Sequence, residues 1–159
     1  MSAFFETIYG WFESLYGAAL AEHLVGILYD NDTCEQLDGY GPNQFISIGF
    51  IAVGISLALV LLYYYAINHP RFNRWWSWLL VLLASGLINF FIGANWTLSE
   101  LNSGNISKCL LENEQGQQLL SSSDCWMFGL ANGFVAAIEF IVFSIGLKWW
   151  SRNCSRSPF

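Results

Sequence analysis

The stretch ISIGFIAVGISLALVLLYYYAI (Ile46 to Ile67), NHPRFNR (Asn68 to Arg74) and WWSWLLVLLASGLINFFIGA (Trp75 to Ala94) decides the fold. Its first segment is 22 residues without a charge, about 33 Å long as a helix and so able to cross the hydrocarbon of a bilayer. The third segment is a second uncharged run, of 20 residues. The seven residues between them are too polar for lipid, and Pro70 breaks any continuous helix. The pattern predicts a transmembrane hairpin. A third run, Trp126 to Leu147, has the length of a span and carries one charge, Glu139.

Composition agrees with that reading. The chain has 159 residues, 55% hydrophobic and 11% charged, far from the balance of a soluble domain. Its formal charge of -6 conceals a segregation along the sequence. Eleven of the twelve acids precede the first run or lie between the second and third, whereas Arg71, Arg74, Lys148, Arg152 and Arg156 lie in the turn or after the third run. Lys and Arg beside spans are retained on the cytoplasmic side, so the turn and the tail belong inside and the N-terminal region outside. Two crossings separate Arg74 from Lys148, which returns the chain to the same side. The interface anchors on that side are Trp75, Trp76, Trp149 and Trp150, since Arg74-Trp75-Trp76-Ser77 is echoed by Lys148-Trp149-Trp150-Ser151.

Upstream, Phe4 to Gly10 (FFETIYG) is followed by Trp11 to Gly17 (WFESLYG). A seven-residue period stacks like on like along a helix and puts Phe5, Ile8, Phe12 and Leu15 on one apolar stripe. An amphipathic helix at the outer surface is expected over residues 1–29. A fourth span would bury Glu6, Glu13 and Glu22, and a signal peptide would require a basic start that the sequence lacks. The expected organisation is therefore this helix, an outer loop (30–45), a first span (46–67), a basic cytoplasmic turn (68–74), a second span (75–94), an outer loop (95–125), a third span (126–147) and a cytoplasmic tail (148–159). The fold class is an all-α, multi-pass integral membrane protein with an interfacial helix.

Small residues in the spans let helix backbones approach closely, and Gly54, Gly86, Gly93, Gly129 and Gly133 are the candidate packing positions. Asn89 and Asn132 come to similar depth on antiparallel spans, where their amides can hydrogen-bond. Glu139 lies deep in the third span with no Lys or Arg inside the spans to neutralise it; it must be protonated, hydrated or paired, and is expected at a helix interface or pore rather than against lipid. Cys109 and Cys125 bracket part of one outer loop and are candidates for a disulfide, with Cys34 on the same side and able to compete. The triplets at Asn31, Asn95 and Asn105 match the glycosylation sequon.

No Cys-x-x-Cys, phosphate loop, zinc-helix motif or nucleophile elbow occurs. Too little chain lies outside the spans to build a catalytic domain. No cofactor or metal site is expected, and the acidic balance argues against nucleic acid. Two functions stay open: a non-enzymatic subunit, an anchor or scaffold held among other membrane proteins or copies of itself, and a homo-oligomeric ion or proton channel with Glu139, Asn132 and Asn89 lining its path.

Overall fold

The computed structural model describes residues 2–31, 33–66, 75–113 and 115–148, with side chains from Phe4 onward. The turn bearing Arg71 and Arg74, together with Trp149, Trp150 and Arg152 of the tail, lies outside these residues. Three helices in the described chain are long and apolar enough to cross a membrane: Gln44–Tyr65, Trp75–Ser103 and Ser122–Lys148.

The first of them is α4 (Gln44–Leu61), whose end widens into a π turn over Leu62–Ala66. The wider turn brings Tyr63 and Tyr64 inward against Val60 and Phe140, leaving Tyr65 exposed. The second is α5 (Trp75–Ser103), which continues nine residues past the apolar run instead of ending at Ala94. Thr97 explains part of that continuation: its hydroxyl bonds back to the Gly93 carbonyl at 3.1 Å, so a polar residue is accommodated in the helix with its donor satisfied. The third is α7 (Ser122–Lys148). Its start is capped by Ser121, whose N–H and hydroxyl both donate to the Asp124 carboxylate, at 2.8 and 2.9 Å; the bond from the Ser121 N–H is one half of a capping box, and the Asp124 N–H turns to the Ser121 carbonyl at 3.1 Å. The segment expected as one outer loop over 95–125 thus consists largely of helix ends and the short α6 (Lys108–Leu111).

Helix α7 packs along both α5 and α4, while α4 and α5 meet each other little. Glycines set the closeness of the α5–α7 seam. A Cβ on Gly129 would stand 2.7 Å from the Phe90 carbonyl oxygen and from the Ala94 Cβ; on Gly133, 2.9 Å from the Gly86 carbonyl oxygen; on Gly93, 3.0 Å from the Asn132 side chain. Gly54 has nothing within 4 Å of a Cβ and faces outward. On α4 the close approach falls at Gly49 instead, where an added Cβ would collide with the Phe5 ring.

The expected single helix over 1–29 is divided into α1 (Ser2–Gly10), α2 (Glu13–Tyr16) and α3 (Ala18–Val25), followed by β1 (Ile27–Tyr29). Gly17 (φ 84°) and Gly26 (φ 93°) adopt positive-φ backbone and make the breaks after α2 and after α3. Strand β1 pairs antiparallel with β2 (Gln36–Tyr40), so the fold is not purely helical. The seven-residue repeat marks burial, and of the expected stripe Phe5 is buried, Ile8 and Phe12 are half-buried and Leu15 is exposed, while Tyr9 and Tyr16 also point inward. Tyr9 stacks on Phe45, and Tyr16 meets Phe128 edge-on. Phe4 and Trp11 remain exposed. The three short helices form a cap packed against α4 and α7.

The cap is tied by a disulfide between Cys34 and Cys109. The expected Cys109–Cys125 bridge is not formed, because Cys125 belongs to α7 and is buried against α5, where Thr97 contacts its carbonyl. Cys34 takes φ 54° in the turn after β1. Around the bridge, the Ser107 hydroxyl donates to Asn31 at 2.9 Å and the Cys109 disulfide sulfur lies beside the Asp30 carbonyl.

Candidate functional site

The three long helices enclose polar side chains that form a column rather than isolated defects. At its upper end the Tyr9 hydroxyl donates to Asn132 Oδ1 at 2.6 Å, and Asn132 Nδ2 donates to the Asn89 backbone carbonyl at 2.7 Å. Asn89 Nδ2 bonds one turn back, to the Ser85 carbonyl at 3.0 Å. The Ser85 and Ser56 hydroxyls are 3.3 Å apart, and Ser56 also reaches the Ala136 carbonyl at 3.2 Å. The Glu139 carboxyl lies within hydrogen-bond reach of Ser56. Nearer the far end, Ser144 is met by the Tyr64 hydroxyl at 2.6 Å and receives the Trp78 indole N–H at 2.8 Å.

Asn89 and Asn132 therefore meet as the antiparallel spans require, but through a backbone carbonyl of Asn89 and not amide to amide. Both are fully buried. Glu139 is half-buried next to α4. Gly86, Gly93, Gly129 and Gly133 all belong to the seam that carries this column, and Gly54 does not. Trp75 and Trp76 are exposed at the start of α5 with ring centroids 4.1 Å apart; Lys148 is half-buried at the end of α7.

Tyr9, Ser56, Ser85, Ser144, Tyr64 and Trp78 complete the column and were not singled out as site residues from sequence. The repeated Tyr9 and Tyr16 were the available signal for one end, since Tyr recurs seven residues apart in an otherwise apolar segment. The serines look like small packing residues until the helices are placed together.

Burial, followed by the negative charge of Glu139 and then the nearby Tyr16, pushes the Tyr9 phenol above its ordinary value. It stays protonated and remains a donor. Tyr9→Phe leaves Asn132 Oδ1 buried without that donor, and a loss of about 1–2 kcal/mol is expected. Thermal unfolding against Tyr40→Phe, a position 72% exposed, checks this.

A second polar region lies in the cap. His23, Glu100, Asn31, Gln44 and Asn105 line a cleft of about 490 Å³ between α3, the hairpin and the end of α5. His23 Nε2 is 3.7 Å from Glu100 and has no hydrogen-bond partner among the described residues. Burial pushes the His23 imidazole below its ordinary 6.5, partly opposed by Glu100. The unfolded chain then binds the proton more readily than the folded one, so this contribution to stability is present above pH 6.5 and lost as pH falls below it. His23→Gln should flatten the acid limb of a stability profile between pH 7 and 5.

No family model, curated protein or solved structure matches the chain.

Proposed function

We propose that this chain is a non-enzymatic integral membrane subunit that assembles with the helices of another membrane protein, with the cap outside and the C-terminal tail in the cytoplasm. The observation carrying the reading is an apolar groove of about 410 Å³ along the α5–α7 seam. Its walls are Leu83, Leu87, Phe90, Leu130 and Phe134, and its floor is Gly86 and Gly133. A glycine floor lets a third backbone come close, the condition under which van der Waals packing competes with lipid. The partner proposed for the groove is therefore an apolar membrane-spanning helix with small residues of its own.

The orientation rests on the segregation of Lys and Arg, and the Cys34–Cys109 bridge supports it because a disulfide persists in an oxidising compartment. The pore alternative is weakened by the placement of Asn89 and Asn132, which are buried inside a single copy and bonded to its own groups.

Leu87→Trp together with Leu130→Trp fills the groove from both walls. Co-purification from the native membrane should then lose a stoichiometric partner while the chain keeps its unfolding temperature. An unchanged complex would remove the groove from the assembly.

A further inference from the structure

The cleft in the cap holds a carboxylate with nothing to balance its charge. Glu100 comes from the end of α5 and His23 from α3, and their side chains are only 22% and 12% exposed, so a group bound between them is largely withdrawn from water. His23 Nε2 is 3.7 Å from Glu100 Oε2, too far for a hydrogen bond, and finds no other partner among the described residues. Burial holds this imidazole neutral at pH 7 against the pull of Glu100, so it supplies no positive charge. Asn105 Nδ2 donates to the same carboxylate oxygen at 3.1 Å and is neutral too. Among the described residues no Lys or Arg lines the cleft. The surrounding field has the same sign: residues 1–45 and 95–125, which build the cap and the adjoining helix ends, contain eleven carboxylates, one lysine and no arginine.

A water molecule would satisfy His23 Nε2 and leave the carboxylate uncompensated, whereas a cation carrying N–H donors meets both groups. The size and walls of the cleft narrow the class further. At about 490 Å³ it is far larger than a bare ion and falls in the range of organic-ligand pockets. Ile27, Leu28, Ile106 and Leu110 line it beside the polar groups, and apolar walls suit the alkyl stem of an amine. Asn105 already takes one lone pair of Glu100 Oε2, which favours a compact ammonium over a guanidinium fork that needs both oxygens. We propose that the cleft binds an alkylammonium group, its nitrogen between Glu100 and His23 and its stem along Ile106 and Leu110. A free small amine and the lysine side chain of a neighbouring protein present the same group. The site is separate from the groove on the α5–α7 seam and stands independently of the subunit reading.

Thermal unfolding of the whole purified chain in detergent tests the site, at pH 7 and constant ionic strength, with n-butylammonium chloride replacing sodium chloride. A saturable rise of at least about 2 °C is expected. Neither n-butanol, which has the stem without the charge, nor tetramethylammonium, which has the charge without N–H donors, should reproduce it. Glu100→Gln should abolish the rise, whereas Glu112→Gln, which removes the same charge at an exposed position outside the cleft, should keep it. A second measurement does not depend on the folding of Glu100→Gln: with His69→Gln leaving a single histidine, the imidazole resonances of His23 should shift in the same titration. No rise with butylammonium, a rise that tetramethylammonium matches or that survives in Glu100→Gln, or a His23 resonance that stays fixed would each overturn the proposal. Carbodiimide treatment of the native membrane then separates the two sources. A lysine in the cleft should attack the activated Glu100 carboxyl and form an amide with release of the reagent as its urea, giving a larger product that Glu100→Gln lacks. Butylammonium stabilisation without that product assigns the cleft to a free amine.

Discussion

Gly129→Leu should destabilise the bundle by about 3 kcal/mol, the upper end of what overpacking usually costs. A Cβ at this position already meets the Phe90 carbonyl and the Ala94 Cβ at 2.7 Å. One of the two contacts is backbone, which cannot swing away as a flexible side chain would, so α5 and α7 must separate. Separation would also disturb the bond from Asn132 to the Asn89 carbonyl, 2.7 Å long and three residues further along α7. Gly54→Leu is the matched control, because it faces outward and should change stability by no more than about 0.5 kcal/mol. Thermal unfolding of the two variants in the same detergent gives the comparison. Equal losses would mean that the α5–α7 seam is not where the backbones come close.

Cys109→Ser should be the second large effect. The bridge closes a separation of 75 residues, for which the chain-entropy model gives about 4 kcal/mol. Spans that stay inserted already restrict the unfolded chain, so a loss of about 2 kcal/mol is expected, concentrated in the cap. Amide exchange should rise in β1, β2 and α6 while the interiors of α5 and α7 stay protected. Thiol alkylation followed by non-reducing electrophoresis should show one bridge lost in Cys34→Ser and Cys109→Ser alike. Cys125→Ala should retain it, since that thiol is buried in α7.

The spans were legible because their signal is summed over about twenty residues and tolerates local error. Four of the five glycines singled out lie on one seam, which spacing could indicate only along each helix, not between them. The cap was harder to read. Its seven-residue repeat marked a buried stripe, but an apolar count favours Phe, Ile and Leu, whereas Tyr9 and Tyr16 join Phe5 as the residues turned inward and Leu15 is exposed. Their hydroxyls find partners there, Asn132 for one and the Tyr9 carbonyl for the other, so burial does not strand a donor. The breaks at Gly17 and Gly26 depend on positive-φ backbone, which a helical glycine and a terminating glycine do not announce differently in sequence.

The disulfide was ambiguous for a topological reason. Cys109 and Cys125 are neighbours along the chain, but the Ser121–Asp124 cap starts α7 early enough to draw Cys125 into the bundle, while Asn31 brings the Cys34 turn to α6. Ser121-x-x-Asp124 is a readable capping signal, and it would have placed that cysteine in a helix. Ser56 and Ser85 could not be assigned to the polar column from one sequence, because a hydroxyl in an apolar run is equally a small packing residue. Glu139 stood out for the opposite reason: a lone carboxylate inside a span has few places to go.

The measurement that tests the account most directly is the mass and composition of the complex extracted gently from its native membrane. The account predicts a hetero-complex of fixed stoichiometry in which this chain is accompanied by a different membrane protein. A closed ring containing copies of this chain alone, with a conductance altered by Glu139→Gln, would contradict it and make the protein a channel.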